Sequence, residues 1–121
     1  LAIIHNNLGK ALFDKQKNEE AIFHYKMSIK LKPSHTLAYY NLGVIFFSEG
    51  KVEEAISQYK IAIKLNPNYS KAHYNLGYAL IQKGEMKEAV HHFRKTLKLR
   101  PDHVAAKKNL EKALLLLEEL K

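Results

Sequence analysis

The chain has 121 residues, 46% hydrophobic and 26% charged, with a formal net charge of +8. That balance is too apolar for a disordered segment and suits one domain with a modest core. No run nears the roughly 18 uncharged apolar residues of a membrane span, no basic patch with an apolar signal core opens the sequence, and with no cysteine there is no disulfide framework, thiolate nucleophile or cysteine zinc site.

A soluble chain, cytoplasmic by default, is therefore the expectation. Because it opens on Leu1 within a helix-like pattern, it reads as a piece of a longer protein. The first segment carries Leu8-Gly9 and then Gln16, where a helix should turn. A second stripe follows, opening on Glu19-Glu20 with Ala21, Tyr25 and Ile29, and closing on Lys30 before Pro33. The next segment repeats this. Ala38, Leu42, Ile45 and Phe46 form one helical stripe, Gly50 breaks it, and Val52, Ala55, Ile56, Tyr59 and Ile63 form another before Pro67. The third runs through Leu76-Gly77, Gly84, Glu88, Ala89, Phe93 and Leu97 to Lys98, Arg100 and Pro101.

Leu8, Leu42, Leu76 and Leu110 recur every 34 residues, as do three glycines, three alanines and three prolines. Such a period identifies stacked supersecondary units. Each unit is expected to be two helices, with glycine ending the first as a left-handed cap. Acidic residues at the start of the second helix and basic ones at its end complement its dipole, and proline stops it. Gln16 is expected to be strained where its counterparts are glycine. Gly9, Gly43 and Gly77 are expected to face Ala21, Ala55 and Ala89, drawing paired helices close. After the third unit, Leu110, Ala113, Leu114 and Leu117 give a lone helix its inward stripe, with Glu111 in the glycine position. Leu115 and Leu116 fall off that stripe, as a truncated or self-associating surface would leave them.

The pattern Tyr39, Leu42-Gly43, Phe46, Ala55, Tyr59, Ala62 and Pro67 resembles the tetratricopeptide repeat family over essentially the whole chain. Departures are His5 and His73 in the bulky slot, Ser28 and Thr96 in the small slot, and Leu12 and Leu80 in the aromatic slot; all are size-tolerant. The resemblance implies an all-α fold, a right-handed α-solenoid of three helix-turn-helix units (2–35, 36–69, 70–103) with a capping helix at 104–121. It also implies a concave groove lined by the first helices. Residues off their core stripe, including Ile3, Asn6, Phe13, Leu37 and Val44, would face it.

Asparagine stands directly before the leucine in all four first helices, at Asn7, Asn41, Asn75 and Asn109. It is a mediocre helix former, so the fold has no evident need of it. Its amide can both donate to and accept from an extended peptide, and helices about 10 Å apart match about three extended residues. The row resembles the asparagine ladder of O-linked N-acetylglucosamine transferase repeats and kinesin light chains, which implies that it holds a peptide main chain. The alternative is that each asparagine simply bonds a neighbouring repeat. Tyr40, Phe47, Tyr74 and Tyr78 would supply side-chain pockets. Lys10, Lys71, Lys108 and Lys112 would favour an acidic segment or a carboxylate. Among the five positions of the related clamp for chaperone tails, only Asn41 and Lys71 fit, so that clamp is not expected.

The charge raises nucleic acid as a partner. Lys26, Lys60 and Arg94 instead recur in phase on the second helices, as a solvated face would have them, and nucleic acid is not expected. His91-His92 side chains diverge by about 100° on a helix, and no metal-binding spacing or catalytic triad stands out; neither catalysis, a metal nor a cofactor is expected. The functional expectation is an interaction module that binds an extended peptide. The alternatives are a scaffold that self-associates through its open ends, or the substrate-recruiting region of a larger transferase.

Overall fold

The structure, a computed structural model, describes residues 1–120. All regular structure among them is helical: α1 (Ala2–Asp14), α2 (Asn18–Leu31), α3 (Thr36–Ser48), α4 (Val52–Leu65), α5 (Ser70–Lys83), α6 (Met86–Leu99) and α7 (Val104–Glu119). The expected end of the last helix at Lys121 lies outside the described residues. The chain divides into two compact units, Leu1–Asn66 with α1 to α4 and Pro67–Lys121 with α5 to α7.

Helix boundaries follow from local chemistry. Glu19 and Glu20 occupy the first turn of α2, Glu53 and Glu54 that of α4, and Glu88 that of α6. Lys30, Lys64 and Lys98 occupy the last turns, so charge opposes the dipole at both ends. The residue before each proline is extended, with φ −144° at Lys32, −139° at Asn66 and −138° at Arg100, as the proline ring requires of its predecessor.

The turns inside the three helix pairs share one bonding pattern. Lys17 N donates to Leu12 O at 2.9 Å, Lys51 N to Phe46 O at 2.8 Å and Glu85 N to Leu80 O at 2.9 Å. The residue before each has positive φ, 61° at Gln16, 77° at Gly50 and 87° at Gly84. This is the Schellman geometry that satisfies the last carbonyls of a helix. Gln16 adopts it against its own Cβ, as the sequence suggested. Gln16→Gly is therefore expected to stabilise the first unit by about 1 kcal/mol, read as a raised urea midpoint; an unchanged midpoint would show that no strain is stored there.

Inside each pair, the first-helix glycine meets an aromatic ring rather than the expected alanine. A Cβ on Gly9 would lie 2.7 Å from Tyr25 Cε1, on Gly43 2.5 Å from Tyr59 Cε1, and on Gly77 2.8 Å from Phe93 Cε1. Ala21, Ala55 and Ala89 are fully buried nearby, but the rings decide the spacing. Burial and, secondarily, Asp14 push the Tyr25 hydroxyl up to about 12, so it stays neutral in the core. In the first unit, Ala21, Tyr25, Leu42 and Ile45 form the core cluster, with Leu12, Phe13, Ile22, Ile29 and Phe46 packed around it.

The small slots are size-tolerant in a specific way. Ser28 donates to Ala2 O at 2.7 Å and Thr96 to His92 O at 2.9 Å, so each buried hydroxyl is satisfied. Two apolar expectations need correction. Leu8 is exposed while Leu42 and Leu76 are buried; α2 packs on α3, and no described helix precedes α1 to do the same. On α7, Ala113 is buried and Leu110 and Leu117 half-buried, as the expected stripe has them, but Leu114 is exposed and Leu116 half-buried. The helix packs mainly on α6 and turns Ala106 and Ala113 inward.

Candidate functional site

In the first unit the side chains in question stand on α1 and α3. Asn7 and Lys10 are exposed on α1, while Tyr40, Asn41 and Phe47 are half-buried on α3. Asn6 was expected in the groove but is buried. Asn41 Nδ2 donates to Asn6 Oδ1 at 3.0 Å, and that bond is what lets an amide oxygen sit out of water. Tyr40 leans on Tyr59, ring centroids 6.0 Å apart, so this aromatic wall is continuous with the ring that fills the helix seam.

The second unit places its set on α5 and α7. Asn109 Nδ2 donates to the Tyr74 hydroxyl at 3.0 Å. The Tyr74 ring lies 4.7 Å from His103, 5.8 Å from Phe93 and 6.4 Å from Tyr78. Burial raises the Tyr74 hydroxyl above its ordinary value, partly offset by the Asn109 bond and reinforced by Tyr78; it remains a neutral phenol at physiological pH. Tyr78 is 39% exposed, and Lys71, Lys108 and Lys112 are exposed. Lys71, Tyr74 and Tyr78 follow an i, i+3, i+7 spacing and so share one face of α5. Asn75 is half-buried beside them.

Asn41 and Asn109 thus each bond a residue 35 positions earlier, the alternative that the sequence left open. The bond uses one of the amide's two N–H groups. A second N–H and the acceptor oxygen remain in the group's hydrogen-bond inventory, so bonding a neighbouring repeat and receiving a peptide are compatible roles.

His5, His24, His73, His92 and His103 join helices or cap them, in a way that sequence reasoning missed. His5 Nδ1 lies 3.0 Å from His24 Nδ1, and His73 Nδ1 lies 3.0 Å from His92 Nδ1. His103 Nδ1 caps α7 by accepting from Ala106 N at 3.1 Å. Burial first and Lys32 second lower His35 below its ordinary value. Both pairs are 19 residues apart and in phase with the repeat, a signal present in the sequence. No group of three or more metal-ligating side chains occurs among the described residues, and no described helix is long and apolar enough to cross a membrane.

Paired helices on a fixed period, with glycine under an aromatic ring in each pair, define a helical-repeat protein. A family model described as TPR repeat matches residues 9–48 and 43–84, and one described as tetratricopeptide repeat matches 70–103. The chain belongs to the tetratricopeptide repeat family, and its fold class is the family's all-α solenoid. No curated protein matches it in sequence. Among solved structures it is similar to the first TPR of Spaghetti (RPAP3) bound to the HSP90 peptide SRMEEVD. The identity is 26%, the TM-score 0.93, and the match covers 97% of this chain and 93% of that one. The second TPR domain of human RPAP3, in complex with the HSP70 peptide SGPTIEEVD, is 31% identical with a TM-score of 0.86, covering 93% of each chain. MamA is 29% identical with a TM-score of 0.87, covering 93% of this chain and 66% of that one.

Proposed function

We propose that this chain is a protein–protein interaction module that binds an extended acidic peptide segment, its main chain held by asparagine amides on the first helices. The observation that carries this is the Asn109–Tyr74 bond set among exposed lysines. The bond fixes the orientation of the amide, leaving its oxygen for a peptide N–H. It also leaves the phenol proton of Tyr74 for a peptide carbonyl. Lys71, Lys108 and Lys112 supply charge for acidic side chains or a terminal carboxylate. In the first unit, Asn7, Asn41, Tyr40, Phe47 and Lys10 form the corresponding set.

The peptides bound by the two RPAP3 domains both end in Glu-Glu-Val-Asp, which supports an acidic extended ligand. This chain grips it differently from a lysine-and-asparagine clamp, because position 6 holds a buried, neutral asparagine already bonded to Asn41. An array of acidic heptapeptides, each with a free and an amidated C-terminus, tests the reading. Binding is expected to weaken at least tenfold in Lys71→Glu/Lys108→Glu, two exposed positions whose replacement should leave melting unchanged. Equal affinity of parent and variant for every captured peptide would sink the proposal.

A second reading, self-association, draws on the exposed Leu1, Ile3, Ile4 and Leu8 of the first unit and on Leu114 and Leu115 of the second. Sedimentation of the parent is expected to give monomer at micromolar concentration. A salt-insensitive dimer there would favour this second reading.

A further inference from the structure

The histidine couple of the second unit has its protons assigned by geometry. His73 Nε2 lies 2.8 Å from Pro67 O, and a carbonyl oxygen only accepts, so Nε2 carries the hydrogen. In the neutral ring Nδ1 is then an acceptor. The nitrogen 3.0 Å away, His92 Nδ1, must therefore be the donor. The rings are stacked, with centroids 5.2 Å apart, and the bond ties α5 to α6 across their seam.

The two rings respond differently to acid. A proton added to His92 goes to Nε2, which lies 3.9 Å from Glu88 Oε2; Nδ1 keeps its hydrogen and the bond to His73 survives. A proton added to His73 has only Nδ1 to go to. There it sets N–H against N–H and one imidazolium beside another, in a buried site where the repulsion of like charges is poorly screened.

We propose that the His73–His92 couple is an acid-sensitive latch on the α5–α6 seam, which accepts one proton without opening and opens on the second. The neighbouring charges favour this asymmetry. From α6, His91 and Lys95 face His73, while Glu88 sits on the His92 side. From α7, His103 packs at a tilt against the adjacent Tyr74 ring, and Lys107 and Lys108 are exposed on the same helix. Burial, chiefly, lowers His73 below its ordinary 6.5; Lys95 and His91 add to this, while the Pro67 bond opposes it. A folded-state value below the unfolded one means that the unfolded chain binds more protons as pH falls through 6.5. The couple's stabilisation is thus fully present above that pH and is lost progressively below it.

The second repeat provides the control. In the first unit His5 and His24 again place ring nitrogens 3.0 Å apart, but Tyr39 and Gln58 occupy the corresponding places in the second repeat. Tyr39 donates to Pro33 O at 2.8 Å, six residues back, just as His73 does to Pro67. His73→Tyr/His92→Gln therefore copies a pairing that the chain already folds with.

Nitrogen-resolved NMR of the full chain is expected to show His73 as the Nε2–H tautomer and His92 as the Nδ1–H tautomer at pH 7.5, with two separated midpoints on acidification and His73 the lower. In parallel, the drop in melting temperature between pH 7.5 and 5.5 is expected to shrink by several degrees in the double variant. The opposite tautomers, a single shared midpoint, or an unchanged pH dependence in the folded variant would each overturn the latch. Should the variant fail to fold, the titration of the parent decides alone.

Discussion

Gly43→Ala is expected to destabilise the first unit by on the order of 1 kcal/mol, and Gly43→Leu by about 3 kcal/mol or more, enough to leave that unit largely unfolded. Helix propensity argues the other way, since alanine in a helix interior gains about 1 kcal/mol over glycine. The sign is decided by the ring. An added Cβ would sit 2.5, 2.7 and 3.0 Å from three atoms of Tyr59, and Tyr59 is itself buried, so it has nowhere to swing. Tyr59→Leu should relieve the clash, making Gly43→Ala less harmful in that background than alone. Gly50 is the contrast. No atom lies within 4 Å of its would-be Cβ, yet its φ is 77°. Gly50→Ala is expected to cost about 1 kcal/mol through the backbone, with no relief from Tyr59→Leu. Urea unfolding followed by circular dichroism measures each single and double variant. A Gly43→Ala chain as stable as the parent would refute the packing account.

Asn41→Ala is expected to cost about 1 to 3 kcal/mol. From the sequence alone the fold has no evident need of this asparagine, which predicts little change in stability. The structure differs because its amide hydrogen bonds Asn6 Oδ1, in a side chain that is only 2% exposed. Removing one partner strands a buried acceptor, whereas removing both costs less. Asn6→Leu with Asn41→Ala should accordingly be less destabilised than the sum of the single changes, with a coupling of about 0.5 to 3 kcal/mol. Asn7→Ala, in the row but exposed, should fall within about 0.5 kcal/mol of the parent. Strict additivity of the Asn6 and Asn41 changes would show that the bond contributes nothing.

What could be read without coordinates was whatever repeats. Leu42 and Gly43 recur at a fixed interval, and periodicity alone separates the paired helices and the glycine turns. The strain at Gln16 was legible because its counterparts are glycine. The ring beneath Gly43 was not, because i, i+3 and i+4 patterns give the face of a helix but not which residue of the opposing helix fills it. Partners that change from repeat to repeat were equally hidden. Asn41 meets an amide at Asn6, while Asn109 meets a phenol at Tyr74, so no conserved letter pair announces the bond. The histidine couples are hidden for a simpler reason: a spacing of 19 residues matches no ligand or catalytic motif, and only the packing of neighbouring helices brings the two rings together.

The bonds from Asn41 and Asn109 both reach back 35 residues, one more than the repeat length. A stack built on apolar contacts alone could slip by one helical turn and still bury most of its surface, since leucine and alanine recur along each stripe. Such a slip would carry the amide about 5.4 Å along its helix and leave Asn6 or Tyr74 facing an apolar neighbour. These side chains therefore act as alignment pins. Their contribution is to disfavour misthreaded stacking of α1 on α3 and of α5 on α7, so that each unit holds its helices in one register.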